Sequence, residues 1–268
     1  MDSMWIGKFF GVLIGLNMAG PFGAIAGLVI GHLLDDALSK QAPADWFGSV
    51  AKRKHTSGIF FQATFLVMGR LAKADGRVSQ QEIDLAAEIM RRMGLNTDQK
   101  REAITLFGQG KENNFDVKPV VMQLREAAHF NRSLIFMFLE IQLAAALADG
   151  EISTNERALL LEVCEILDIS SELFEQLLGR IHAERDFTQD QHQAGVHPQR
   201  ALQDAYAVIG VSADVSDAVL KKAYRKLMSQ HHPDKLVAKG LPPEMMTLAK
   251  EKTQEIQAAY ELIKKSRA

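Results

Sequence analysis

Between Phe9 and Leu34 the chain carries no Asp, Glu, Lys or Arg. An uncharged apolar run longer than about 18 residues predicts a membrane-spanning helix. Downstream, apolar residues recur at helical spacing in several stretches separated by polar turns. Long alternating runs of β-branched residues, the mark of strands, are absent. The pattern predicts an all-α protein in three parts: a spanning helix, a helical bundle and a C-terminal helical module.

Within the first run the smallest residues keep one phase: Gly7, Gly11, Gly15, Ala19, Gly23, Gly27 and Gly31. Glycine costs stability in a water-soluble helix. Between spanning helices, small residues let backbones approach closely, which is what holds such helices together. The stripe predicts a homodimer through this segment, with Gly11, Gly15, Gly23 and Gly27 at the seam. The run continues past the small-residue "AIA" at 24–26, which argues against a cleaved signal peptide. Pro21 is read as a kink rather than a re-entrant turn. Lys8 alone precedes the run, and Lys40, Lys52, Arg53 and Lys54 follow it. The positive-inside rule then places the N-terminus outside and the bulk of the protein in the cytoplasm.

In the middle, "KADGRVSQQE" at 73–82 returns as "LADGEISTNE" at 147–156, an offset of 74 residues. Ser79 with Glu82 and Ser153 with Glu156 have the spacing of capping boxes. The Asp-Gly pairs end one helix and turn the chain into the next. An EF-hand reading fails, because its first and third ligand positions would be Leu71 and Lys73, and Ala145 and Leu147 in the second copy. A looser acidic site at Asp75 and Asp149 is weighed below a purely structural turn. These turns and capped helices resemble the tellurite-resistance TerB-like helical domain, which implies a fold and an interaction role but no reaction.

Composition changes this picture little. The 268 residues carry a formal net charge of -2 and are 47% apolar and 24% charged, as expected of a folded chain. The single cysteine, Cys164, excludes an internal disulfide and a CxxC zinc site, and its apolar surroundings predict a buried, inert thiol. Residues 183–200 are polar with Gly and Pro and read as a flexible linker. His182, His192 and His197 read as scattered surface histidines rather than ligands. No metal site, cofactor or catalytic group is expected.

The C-terminal pattern is the most informative. Ser216 has the look of an N-cap, and Leu220, Ala223, Tyr224 and Leu227 share one helical face. Lys221, Lys222, Arg225 and Lys226 cover the other. Pro233 should stop this helix near Gln230. A last helix from about Glu244 to Lys264 turns Ala249, Ile256, Ala259, Tyr260 and Ile263 inward, so the two antiparallel helices present "HHPD" at their connecting loop. Twelve Lys and Arg against eight Asp and Glu over 200–268 make this module net positive in a net negative chain. Without an interleaved aromatic array, nucleic acid is not an expected partner.

"YAVIGV", taken as the opening of a first helix, "LKKAYRKL", "HPDK" and "EIQAAYELI" together resemble the J-domain of the DnaJ chaperone family, over about the last 65 residues. The resemblance implies stimulation of ATP hydrolysis by a DnaK-type chaperone, with His232, Pro233 and Asp234 as the signature triplet and Lys221, Lys222, Arg225 and Lys226 as the chaperone-facing surface. Those cations would steer the module towards an acidic patch. Two features depart from the family pattern: the segment "KLVAKGLPPEMM" is longer than usual, and Thr253 stands where an aromatic residue commonly packs. The order of parts resembles membrane-anchored DnaJ-like co-chaperones of Gram-negative bacteria, which implies an inner-membrane protein with a role in envelope stress or capsule synthesis. The competing reading is a TerB-type membrane stress or divalent-metal sensor in which the J-domain is secondary. The expected boundaries are 1–6 periplasmic tail, 7–31 spanning helix, 32–58 juxtamembrane segment, 59–182 bundle, 183–200 linker and 201–268 J-domain.

Overall fold

The computed structural model describes residues 44–74, 76, 80–129, 131–147, 150–192 and 198–267. The apolar run with its glycine stripe lies outside them, as do Asp75, Ser79, Asp149 and His197. Among the described residues every regular element is helical, and no helix is long and apolar enough to cross a membrane. Residues Arg53–Ala268 form one compact unit.

Among the described residues, seven helices precede the C-terminal module: α1 (Ala44–Ala72), α2 (Gln80–Arg92), α3 (Thr97–Gly110), α4 (Val117–Ala127), α5 (Arg132–Ala146), α6 (Thr154–Ile166) and α7 (Ser171–His192). Helix α5 is central. Leu134, Ile135, Met137, Phe138, Leu139, Ile141 and Leu143 are all buried, so its apolar residues run around the whole helix instead of along one stripe. Local signals set the helix starts. Ser153 Oγ accepts from Glu156 N at 3.2 Å while Glu156 Oε2 accepts from Ser153 N at 2.9 Å, the expected capping box. A second box, not read from the sequence, joins Asn96 and Gln99 at the start of α3. Gly76 and Gly150, each following the Asp of a repeat, take positive φ of 84° and 116°. Cys164 is buried, and desolvation pushes its thiol up to about 12, so it is an inert apolar group.

Helices α1 and α3 meet backbone to backbone. A Cβ on Gly69 would overlap the Phe107 carbonyl oxygen, and one on Gly110 would overlap that of Leu66.

The C-terminal module comprises α8 (Pro198–Ile209), α9 (Asp217–His231), a short α10 (Pro233–Ala238), a 3-10 turn (Pro243–Met245) and α11 (Met246–Arg267). Ala205, Val208, Ile209, Leu220, Leu227, Ile256, Ala259 and Ile263 form its core, and Tyr224 stacks on Tyr260 with ring centroids 4.1 Å apart.

Several expectations need correction. Helix α7 runs on to His192, so the first ten residues of the expected linker are helical. Ala183 and Phe187, one turn apart, enter the core of the C-terminal module, and burying a phenylalanine contributes about 1.5–3 kcal/mol. Only these two apolar residues carry that helix face among polar neighbours, which is why the stretch reads as linker. Helix α1 also runs through the expected boundary at 58/59. "YAVIGV" closes a helix rather than opening one: Ile209 is the last residue of α8, and Gly210 leaves it with φ of 74°. The segment after His232 is not an open loop either. Proline at the first helical position, with its fixed φ, starts α10 there.

Candidate functional site

Two adjacent histidines divide the C-terminal module into an outward and an inward side. His232 is exposed and His231 is 1% exposed.

On the outward side, Ser216 caps α9 through Val219 N at 3.4 Å. Leu220 and Leu227 turn into the core, and Lys221, Lys222, Arg225 and Lys226 stand exposed along the opposite face. The helix ends at His231, and His232 takes φ of -60° and ψ of 120° as the N-cap of α10, with no hydrogen bond from its side chain to the helix end. Asp234 in the first turn of α10 is exposed, and Lys235 Nζ donates to Ser229 Oγ at 2.8 Å across the corner. The start of α9 is pinned from the far end of α11. Arg267 donates to Tyr206 Oη at 2.8 Å, to the carbonyls of Ala213 and Val215, and to Asp217. The four cations, His232 and Asp234 are thus all exposed, with Pro233 half-buried between the last two, and the group is net positive. It has the geometry to meet an acidic partner through long-range attraction.

On the inward side lies a buried charge cluster. Glu140 of α5 and Arg180 and Glu184 of α7 meet His231 of α9 and Lys252 of α11. Arg180 pairs with Glu140, and its Nε lies 3.7 Å from Glu184. Lys252 pairs with Glu184 and lies 3.6 Å from Glu140 Oε2. His231 Nε2 is 3.5 Å from Glu140 Oε1. Burial pushes the Glu140 carboxyl up, but His231 when protonated at acid pH, together with the Lys252 and Arg180 charges, outweighs it and holds the group below the usual carboxylate range. Burial dominates at His231 and takes it down to about 4, so this ring is neutral near pH 7. Burial likewise raises Glu184, against the opposing pull of Lys252 and Arg180. Lys252 keeps its charge because the two carboxylates overcome its desolvation. Beside the cluster opens a cleft of about 340 Å³ lined in part by Ile89, Met137, Ile181, Leu248 and Glu255. Burial pushes the Glu255 carboxyl up to about 7.

Sequence reading missed every member of this cluster. Lys252 sits in "EKTQE", which reads as a solvated face, and Glu140 is a lone carboxylate in an apolar stretch. The one available signal was that isolated carboxylate, because a charge placed inside a buried helix needs a partner. The structure gives a purpose to the longer segment "KLVAKGLPPEMM". Leu236, Leu241 and Met245 are buried in the core of the bundle, not of the module. Gly240, at φ of 109°, lies so close to Thr56 that a Cβ would overlap its side chain. Gln99 donates to Glu244 at 2.6 Å and Arg92 to Glu251 at 2.8 Å. Among the described residues no group of three or more His, Cys, Asp or Glu is arranged to hold a metal ion.

Three family models match the chain: the transmembrane domain of the co-chaperone DjlA over residues 1–41, the tellurite resistance protein TerB over 61–178, and the DnaJ domain over 204–268. Relatives named co-chaperone protein DjlA occur in Coxiella burnetii, 44% identical over 98% of each chain, and in Escherichia coli K12 and Salmonella typhimurium, each 44% identical over 97% of both chains. The chain belongs to the DjlA family. The central repeat is its TerB domain, the C-terminal module is its J-domain, and the apolar N-terminal run falls in its transmembrane domain. No solved structure matches the chain.

Proposed function

We propose that the chain is a membrane-anchored co-chaperone that stimulates ATP hydrolysis by a cytosolic DnaK-type chaperone. The observation that carries this is the exposed His232–Asp234 corner at the end of an exposed basic helix, on a module that matches the DnaJ domain. Lys221, Lys222, Arg225 and Lys226 steer the encounter. Pro233 fixes the corner and Asp234 offers a carboxylate to a partner arginine. In this reading the hydrolysis belongs to the partner chaperone: His232 and Asp234, two residues apart, do not make a catalytic dyad without a nucleophile and an oxyanion site. The Lys and Arg bias around the first 41 residues supports an inner-membrane, single-pass anchor with the bulk of the chain in the cytoplasm. The small-residue stripe supports a homodimer through that anchor, which raises the local concentration of J-domains on one membrane patch. Envelope-stress or capsule-related regulation is the setting this family resemblance suggests.

The deciding experiment is a single-turnover ATPase assay with a purified DnaK-type chaperone and the full chain in detergent micelles. The chain accelerates hydrolysis and His232→Gln abolishes the effect with an unchanged circular dichroism spectrum. An unchanged rate in a folded His232→Gln variant overturns the assignment. For the dimer, an in-membrane reporter compares Gly→Leu at 15 and 23 with Leu→Ile at 13 and 28; equal signal from both sets rules out the glycine seam.

A further inference from the structure

The triplet is held at both ends by a different domain. Immediately before it, His231 is buried against Glu140 of the TerB bundle. Immediately after it, Leu236, Leu241 and Met245 enter the core of that bundle. The exchange is reciprocal, since Ala183 and Phe187 at the end of the bundle's last helix complete the core of the J-domain. Two domains joined by a plain linker would share neither core.

The chemistry of the joint is unusual for a contact that serves stability alone. Glu140, Arg180, Glu184 and Lys252 are four charged groups with side chains no more than 13% exposed. Removing charges from water costs several kcal/mol per ion, so an apolar joint of the same shape is commonly as stable or more so. A buried ionic cluster of this kind favours one arrangement of the joint, because separating the pairs leaves buried charges uncompensated. Lys252 is the hub: it comes from α11 of the J-domain and reaches both Glu140 and Glu184 of the bundle.

We propose that Glu140, Glu184, His231 and Lys252 are positioning residues for the triplet, with the TerB bundle serving as the fixed platform on which the His232–Asp234 corner is presented to the chaperone in a single docked orientation. This rests on the co-chaperone reading above. The docked pair is the active form, and the lengthened segment 235–246, from within α10 to the start of α11, is the docking element. The outward cations do not take part, so docking governs how productively a bound chaperone is engaged rather than how tightly it is bound.

The test uses the full chain in micelles and separates maximal stimulated rate from the chain concentration giving half-maximal stimulation. Lys252→Met lowers the maximal rate by about 10- to 100-fold, the upper figure being the cost of a group misplaced by about 1 Å, with the half-maximal concentration nearly unchanged, and Lys252→Arg restores the rate. A second arm covers the case in which Lys252→Met unfolds. Cysteines at positions 92 and 251, whose native Arg92 and Glu251 pair across the joint, are bridged by a short reducible bis-methanethiosulfonate cross-linker, which locks the two domains together. The locked chain keeps full stimulation. Loss of stimulation on locking that returns on reduction overturns the proposal. So does a folded Lys252→Met variant with the maximal rate of the parent chain. If the unmodified chain fails to stimulate, the co-chaperone reading itself fails, and that is seen before any variant is made.

Discussion

His231 and His232 are neighbours in sequence and opposites in environment. One is a neutral ring packed into a buried charge cluster, and the other stands in solvent at the tip of a corner. The same contrast divides the charges of the J-domain. Lys221, Lys222, Arg225 and Lys226 face outward and are individually replaceable in terms of folding. Lys252 faces inward and holds two carboxylates at once. Outward charges act through the field they project, which is additive and screened by salt. Inward charges act as a set, because removing one strands the others. A charge therefore says little about its role until its solvent exposure is known.

The largest expected effect separates the two histidines. His232→Gln removes stimulation outright while the melting curve stays unchanged. His231→Gln leaves the triplet intact and lowers the maximal rate only in part, with a lower melting temperature. Parallel ATPase and thermal-melt measurements read both; similar profiles for the two variants break the comparison.

Next in size are stability effects at the joint. Lys252→Met leaves the buried Glu140 and Glu184 to share Arg180 alone and costs about 3–5 kcal/mol. Met245→Ala empties a site in the bundle core and costs about 2–5 kcal/mol. Lys222→Met, on the outward face, stays within about 0.5 kcal/mol. Denaturant titration of the three variants in micelles checks the order. A Met245→Ala variant as stable as the parent chain shows that the docking segment is dispensable.

Reversing charge at Lys222 and Arg225 slows association with the chaperone, and raised salt reproduces the effect in the parent chain. Dissociation changes little. Stopped-flow association that ignores salt contradicts the steering role of the outward face.

The smallest effect is a pH dependence at the edge of the cleft. Burial raises the Glu255 carboxyl to about 7 from 4.5. A raised folded-state value contributes stability that is fully present below pH 4.5 and lost as pH rises through 7. Glu255→Gln is therefore more stable than the parent chain at pH 8, by about 1–3 kcal/mol, and the gain vanishes by pH 4.5. His231, lowered to about 4 from 6.5, works the other way: its contribution falls away as pH drops from 6.5 to 4. The two groups oppose each other between those limits, so Glu255→Gln steepens the acid loss of stability there. Melting curves of both chains across pH 4 to 8 decide it.

The outward site was fully legible in the sequence, and the inward one was not. Lys221, Lys222, Arg225 and Lys226 fall on one helical arc whatever the helix packs against, and the arc is fixed by the 3.6-residue period. The Ser153–Glu156 capping box was legible for the same reason, since its partners are three residues apart. Phe187 and Ala183 were missed because two apolar positions do not make a periodic stretch. Close backbone approach was sought in the N-terminal glycines, which lie outside the described residues. Gly69 and Gly110, which share no glycine stripe, are where α1 and α3 meet backbone to backbone.

By itself the sequence determined that the protein is helical, where the repeated turns fall, which residues form the triplet and which face of α9 is charged. All of these depend on residues within a few positions of one another. Tertiary structure alone decided that the TerB and J-domains interlock. Glu140 and Lys252 are 112 positions apart, and Phe187 reaches its core across a segment that reads as linker. Such pairings are selected by the global packing of apolar surface and by the cost of stranding a buried charge, and neither leaves a periodic trace in the chain.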